Sequence, residues 1–485
     1  MSLASAMSTT KNIFSNTATQ TAVVSTNISN ATTADYNRRS AVTTTNAYTG
    51  ATIVATERTE NAALLKQTLS SIADDAGQQT LVAGLDSLNA VMGGGDYALA
   101  PSTSLAALNN ALQTYAATPS DSTLATAAVN AAVDVATSLN ESTAGVQELR
   151  ADADAEIATT VSTLNQLLAD FEKANNAVKA ATASNADPND ALDTREGLLK
   201  QISGIIGVTT SIRDGNDMVI YTSDGTTLFE TNARKVSFEA TTGYSAATVG
   251  NAIYIDGVAL NAGVGSSSTA QGSLPALLQL RDEIYPTYQD QLDEIARGLV
   301  SLFSEASTTG APPTTTAVAG LFTTDTGDVV DFENPEIITG LAASIRVSSV
   351  AKADPTTLRD GDIAGDAVNT TNASGYSDLL YSYVAGFSTK MDFDTAAGVG
   401  NYVTLLDFST DSVGWAEEYR SNATTASETT TAMLSRSTTA YSNAAGVNLD
   451  EELILMLDVE QSYKAASKLL STIDEMLQSL MEAAG

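Results

Sequence analysis

The chain has 485 residues, of which 23 are Lys or Arg and 57 are Asp or Glu, with no His and no Cys, giving a formal net charge of −34. A surface this acidic repels phosphate and lacks the basic stripe of a nucleic-acid binder, while the missing His and Cys remove thiolate nucleophiles, Cys/His zinc sites, Ser-His-Asp triads and histidine acid–base chemistry. Only 16% of residues are charged, so polarity is carried by Ser, Thr and Asn, and the length allows several domains, each with its own core.

The N-terminus carries no basic region followed by a continuous apolar run, hence no cleavable secretory signal is predicted, and no stretch approaches a membrane span. Instead Leu3, Met7, Thr10, Phe14, Thr17, Thr21, Val24 and Ile28 form a heptad whose three Thr make it too weak to stand alone. After it come Asn27-Ile28-Ser29-Asn30 and the step Asp35-Tyr36-Asn37-Arg38-Arg39, then a Thr-rich, β-branched segment to Thr56 that reads as an extended connection. Helical spacing returns through Leu64, Leu65, Leu69, Ile72, Leu81, Leu85 and Leu88 and is stopped by Gly93-Gly94-Gly95; no Gly-Lys-Ser/Thr follows, so the triplet is a helix stop and not a phosphate loop. A short helix is predicted over Leu105 to Tyr115. From Ser122 to Ala181 there is no Pro and a single Gly, which as one helix would span about 90 Å. Asp152, Asp154 and Glu156 within it do not share a helical face and read as solvated charges.

Asp187-Pro188 starts another helix. Between Gly207 and Gly263 the apolar period falls to two, with turns at Asp214-Gly215 and Asp224-Gly225 and further strands at Val236 to Phe238 and Ile253 to Ile255, so a small β-rich unit is predicted to leave the rod and to fold by itself. Helical spacing resumes at Leu274 and runs to Phe303, with a kink expected at Pro286. A mixed segment follows from Pro312 to about Thr410, with a strand expected over Ser344 to Val350, a helix near Ser377 to Val384, and Asp360-Gly361-Asp362 as a surface turn lacking calcium-loop spacing. Helical sequence from Ser412 to Ala444 leads into the last element.

That element is an unbroken heptad. Leu449, Met456, Tyr463, Leu470 and Leu477 lie seven apart, and so do Val459, Ala466, Ile473 and Leu480; Leu455, Leu469 and Met476 widen the stripe beyond what one partner helix needs. Asn448 with Glu451 three residues on gives a capping box.

The N-terminal heptad with its Asn-Ile-Ser-Asn turn, the Asp35 to Arg39 step, Leu192-Asp193-Thr194-Arg195-Glu196-Gly197-Leu198-Leu199, and Val459-Glu460-Gln461-Ser462-Tyr463-Lys464-Ala465-Ala466 with Leu470-Ser471-Thr472-Ile473-Asp474-Glu475-Met476-Leu477 together resemble bacterial flagellar axial proteins, and within them the hook-filament junction proteins. One departure is Asp35, where that family commonly has Gly before the aromatic; Asp tolerates positive φ better than most residues. The expected fold is multidomain and mainly α with a β-rich insertion: an elongated helical rod, the N- and C-terminal helices paired at one end and a small β domain protruding at the other. Expected domains are 1–35 with 446–485 (terminal coiled coil), 36–206 with 271–310 and 411–445 (rod), 207–270 (β-rich outer domain) and 311–410 (mixed insertion). The resemblance implies a structural, non-enzymatic role without cofactor, export by the flagellar type III apparatus, and an extracellular place between hook and filament. It implies partners in copies of the same chain in a ring or tube, the hook protein, the next junction protein, and an export chaperone on the C-terminal helix, with Leu3, Met7, Phe14, Val24, Ile28, Leu449, Met456, Val459, Tyr463, Leu470, Ile473, Leu477 and Leu480 as the assembly face. A flagellin-like axial protein, or a secreted adhesin acting through residues 207–263, is the alternative.

Overall fold

The computed structural model describes residues 3–33, 35–46, 50–309, 314–324 and 336–484. Helix α1 (Leu3–Ser29) leads into the antiparallel hairpin β1 (Arg39–Asn46) and β2 (Gly50–Arg58), so the Thr-rich connection is a paired ribbon, as its β-branched content favours. Helix α2 (Ala62–Val91) is capped by Asn61, whose side chain accepts from Leu64 N, and is ended by Gly93 at φ 94°, a left-handed conformation that only glycine adopts without cost. Helix α3 (Pro101–Ala117) follows, then α4 (Ser122–Ala183), one uninterrupted helix of 62 residues started by the Asp121 side chain accepting from Thr123 N. Helix α5 (Asn189–Ile205) starts directly after Pro188, with the Asp187 carboxylate on Asn189 N at 2.9 Å.

Strands β3 (Val208–Arg213), β4 (Asp217–Thr222) and β5 (Thr227–Phe229) form one antiparallel sheet, with Gly215 and Asn216 at positive φ in its first turn. Strands β6 (Val236–Ser237), β7 (Tyr254–Ile255) and β8 (Val258–Ala259) form a second. Helix α6 (Ser273–Gln279) passes through a π turn at Leu280–Ile284 into α7 (Tyr285–Leu302). The irregular turn thus precedes Pro286, whose missing N–H leaves the i−4 carbonyl without its regular donor.

The next segment holds the hairpin β9 (Glu305–Thr309) and β10 (Thr314–Val318), then β11 (Phe322–Thr323), α8 (Leu341–Ser344), β12 (Arg346–Val347), α9 (Ser349–Ala353), α10 (Thr357–Asp360), α11 (Asp378–Gly386), and the pair β13 (Lys390–Asp392) and β14 (Tyr402–Thr404). The single strand expected over Ser344 to Val350 is instead two paired residues between short helices. Ser348 caps α9 through Val350 N at 3.2 Å, and that cap stops the strand. The chain closes with α12 (Leu405–Ala445) and α13 (Leu449–Ala484).

Helix α4 threads two hydrophobic cores. Its first half, through Val146, packs with α2, α3, α7, residues 321–322 and 341–397 and the start of α12; its second half, from Ile157 to Phe171, packs with Leu69, α5, α6 and strands β3 to β7. The β-rich residues therefore share a core with the rod: Phe171 of α4 meets Phe229 of β5 edge to face at 5.1 Å. That sharing runs against the expectation of an independently folding unit, since the inner residues of both sheets belong to one cluster with α4, α5 and α6. Helices α2 and α12 run antiparallel, tied by Thr68 to Ser437, Asp75 to Thr431 and Asn89 to Glu417. The whole is an elongated, mainly helical fold with paired terminal helices and internal β insertions.

Candidate functional site: the terminal helix pair and its joint

Helices α1 and α13 pack antiparallel: Asn27 near the end of α1 meets Glu452 near the start of α13, and Phe14 meets Tyr463 edge to face at 5.2 Å. Each helix buries one of its two heptad series. On α1 these are Thr10, Thr17 and Val24; on α13 they are Glu452, Val459, Ala466 and Ile473, all spaced by seven. Thr10 and Thr17 fit an apolar seam because each hydroxyl turns back to its own helix, to Ala6 O at 2.9 Å and Phe14 O at 3.0 Å, and only the methyl faces the partner.

The other α13 series is left outside. Leu449, Tyr463 and Leu470 stand 46, 53 and 41% exposed and Met456 and Leu477 are half-buried, while Leu480, the last residue of the Val459 series, is exposed beyond the stretch that α1 covers. Of the α1 residues expected at the assembly face, Val24 is buried, Phe14 and Ile28 are half-buried, Met7 is exposed, and Leu3 opens the helix. Leu453, Ile454, Leu457, Leu469, Met476 and Met481 extend the exposed apolar surface around α13. One chain thus covers a single series of a helix whose apolar stripe is wider than one partner helix needs, and an apolar stripe left open in this way marks an interaction face.

A polar joint fastens this pair to the rod. Glu452, fully buried, accepts from Arg38 Nε at 2.6 Å and Asn27 Nδ2 at 3.0 Å. Asn27 Oδ1 accepts from Tyr36 Oη and Arg39 N, while Asn27 Nδ2 also reaches Arg39 O, so this one side chain anchors the step out of α1. The neighbouring Asn37 turns the other way, to Glu196 of α5 and Tyr441 of α12. Glu196 is the rod's counterpart of Glu452: it accepts from Arg58 Nη2, from Tyr441 Oη at 2.6 Å and from Lys200 Nζ at 3.1 Å. Burial pushes the Glu196 carboxyl up, but the charges of Arg58 and Lys200 outweigh it and hold the group below its ordinary range. Lys200 also reaches Asp35 at 2.8 Å, and Asp35 has φ 65°, the positive value that its place in the turn requires. Arg38 N donates to Ala445 O at 2.8 Å, closing the joint onto the end of α12.

None of Asn27, Glu196, Tyr441 or Glu452 stood out among the sequence-predicted site residues. The one legible sign was Glu452, a charge placed seven residues before Val459 in an otherwise apolar series. A second buried cluster corrects the expectation that Asp154 is solvated. It is 2% exposed and accepts from Arg281 Nη1 at 2.7 Å, Tyr244 Oη at 2.7 Å and Thr241 N at 2.8 Å, while Asp152 and Glu156 on either side face solvent. The cluster fills the gap along α4 between the two apolar cores, where Arg150 donates to Arg281 O, Ser245 O and Thr248 O and so pins the loop before β7. Among the described residues no group of three or more Asp or Glu is placed to hold a metal ion, and no helix is long and apolar enough to cross a membrane. A cleft of about 840 Å³ between α2, α12 and residues 266–271 offers hydroxyls, amides and the single carboxylate Asp74.

Paired terminal helices on a helical rod with β insertions, and a C-terminal helix apolar beyond the needs of its own chain, define a flagellar axial protein. Residues 85–321 match the model of the flagellar hook-associated protein FlgK helical domain, and residues 439–483 match that of the flagellar basal body rod FlgEFG protein C-terminal region. The chain belongs to the flagellar hook-associated protein 1 (FlgK) family, and its function is structural, of the hook-filament junction kind. It is 21% identical over 376 residues to flagellar hook-associated protein 1 of Bacillus subtilis (strain 168), covering 72% of this chain and 70% of that one. To the protein of the same name from Escherichia coli (strain K12) it is 23% identical over 385 residues, covering 67% and 70%. A solved structure, that of the flagellar hook junction protein FlgK from Burkholderia pseudomallei, is similar at a TM-score of 0.43 and 21% identity over 53% of this chain and 46% of that one.

Proposed function

We propose that the chain forms the junction between flagellar hook and filament by closing into a ring or tube with copies of itself, its terminal helices inward. The observation that carries this reading is the unequal burial of α13: Val459, Ala466 and Ile473 are covered by α1, and the Leu449–Leu470 series, equally apolar, is not. Neighbouring copies placed side by side would cover the open series while α1 keeps the other, and a buried Leu is worth about 1.5–3 kcal/mol. In this reading residues 1–35 with 446–485 are the inner domain, 36–206 with 271–310 and 411–445 the rod, and 207–270 and 311–410 the parts carried by it. Of the residues named above, Met7, Leu449, Met456, Tyr463, Leu470, Leu477 and Leu480 are those left to face neighbours, while Val24, Val459 and Ile473 hold the pair together within one chain. The hook protein below and the next junction protein above are its neighbours, and an export chaperone covers the α13 stripe before assembly. Electron microscopy of a deletion strain tests the role: hooks without filaments are expected, and normal filaments overturn it. For the chaperone, equal affinity for the full chain and for a chain truncated after Gly446 overturns that part.

A further inference from the structure

We infer that Glu452 is the positioning residue that sets the register of the terminal helix pair. The seam itself specifies little. Thr10, Thr17 and Val24 are small or medium side chains repeating every seven residues, and they interleave with Val459, Ala466 and Ile473, which repeat every seven residues and are also medium or small. Sliding α1 by one heptad, about 10 Å along the axis, would put side chains of much the same size opposite one another. Nor does the connection forbid it: Asn30 to Asn37 supplies eight residues between the end of α1 and the Arg38 to Ala445 hydrogen bond, a length that reaches well beyond 10 Å when extended.

Within the seam, what differs between registers is the fate of one carboxylate; outside it, the observed register also lets Asn16 of α1 donate to Ala51 O at 2.7 Å and accept from Ile53 N at 3.0 Å. In the observed register Glu452, the first member of the α13 seam series, is fully buried with both oxygens satisfied, by Asn27 from α1 and by Arg38 from the step into β1. A slide of one heptad takes Asn27 away: in one direction α1 ends before it reaches Glu452, and in the other Gln20 comes to face the carboxylate, an amide one methylene longer than Asn27 and without Asn27's bonds to Tyr36 and Arg39. An uncompensated buried charge is among the costliest defects a fold can hold, and a single polar seam residue is the best-attested way for a helix pair to choose register. Asn27 adds a second check, because its amide is also committed to Tyr36, Arg39 N and Arg39 O, which fix where α1 ends relative to the joint.

The chain has no cysteine, so register can be read directly in the full-length protein by engineered pairs, whatever its role in the cell. Phe14→Cys with Tyr463→Cys reports the observed register. Phe14→Cys with Met456→Cys or Leu470→Cys reports a slide of one heptad either way, since a disulfide does not form when the Cα atoms are more than about 7 Å apart. With Glu452 intact only the first pair should oxidise. With Glu452→Leu, one of the shifted pairs should rise from background to a share comparable with the first, while circular dichroism shows helix content unchanged. Glu452→Gln keeps an acceptor for Asn27 and should keep the single register. If Glu452→Leu lowers helix content, Asn27→Leu combined with Glu452→Leu replaces the pair by apolar groups, and the shifted cross-link is expected there. A single register in both variants, or a first pair that does not oxidise with Glu452 intact, overturns the inference. Either result leaves the junction role standing, because that role is read from filaments and not from cross-links.

Discussion

At the scale of single residues, two carboxylates, the buried Glu196 and the half-buried Asp290, have opposite environments and should answer pH in opposite ways. Glu196 is surrounded by Arg58, Lys200 and Tyr441, and its folded pKa lies below the ordinary value. Its contribution to stability is therefore present above the unfolded carboxylate range and is lost as pH falls through the depressed folded value. Removing it leaves Arg58 buried without its main partner, so Glu196→Ala should cost about 3–5 kcal/mol at neutral pH, read by denaturant melting of the full chain. A loss below about 1 kcal/mol, the worth of an exposed pair, would mean that the joint is wetter than its geometry shows. Asp290 is the converse: burial, with the charges of Asp394 and Glu294 nearby, pushes its carboxyl from 3.8 to about 6. With the folded value raised, the folded chain keeps a proton that the unfolded chain has released, so this group favours folding below about pH 4 and loses that advantage as pH rises through about 6. Asp290→Asn should thus raise Tm at pH 7.5 and bring no gain at pH 4. An equal gain at both values would point to packing and not to charge.

At the scale of elements, what could be read from the sequence was what repeats. The 62-residue helix α4 announced itself by a long run free of Pro, α13 by its heptads and its Asn448 cap, and β3 and β4 by alternation broken at Asp214-Gly215. Asn448 does accept from Asp450 N and Glu451 N, which is the N-cap half of the predicted box. Illegible were the contacts that join distant stretches by one polar pair, because neither partner carries a period: Asp154 with Arg281, 127 residues apart, and Tyr441 with Glu196, 245 apart. The same limit hid the dependence of the β-rich unit on the rod, since the apolar run Met218–Ile220 of β4 marks residues that are buried and not what they are buried against. With Ile220, Leu228 and Phe229 buried against α4, α5 and α6, residues 207–270 excised as a fragment should lack dispersed amide signals in NMR, and a folded fragment would restore the independent unit. Inside the full chain, Phe171→Ala should cost about 3–5 kcal/mol, because it opens the contact between α4 and β5.

At the scale of the whole molecule, the question is what one chain leaves unfinished, and α13 answers it. Leu470 is 41% exposed and its neighbours Leu469 and Tyr463 more so, and substitutions at such surface sites usually stay within about 0.5 kcal/mol. Leu470→Asp should accordingly leave the melting of the single chain nearly unchanged. In the proposed assembly the same position lies between copies, where a buried unpaired carboxylate is costly, so incorporation at the hook tip should be abolished. The effect should exceed what added repulsion alone supplies: the chain already carries −34, and one more charge, screened within about 8–10 Å at physiological ionic strength, changes the long-range term by a small fraction. Salt separates the two contributions. Raising ionic strength should promote association of the unmodified chain by screening that net charge, and should not rescue Leu470→Asp, whose defect is local desolvation. Sedimentation showing rescue of Leu470→Asp by salt would place the barrier in long-range charge. A Leu470→Asp chain that melts well below the unmodified one would return α13 to the role of an ordinary core helix, completed within its own molecule.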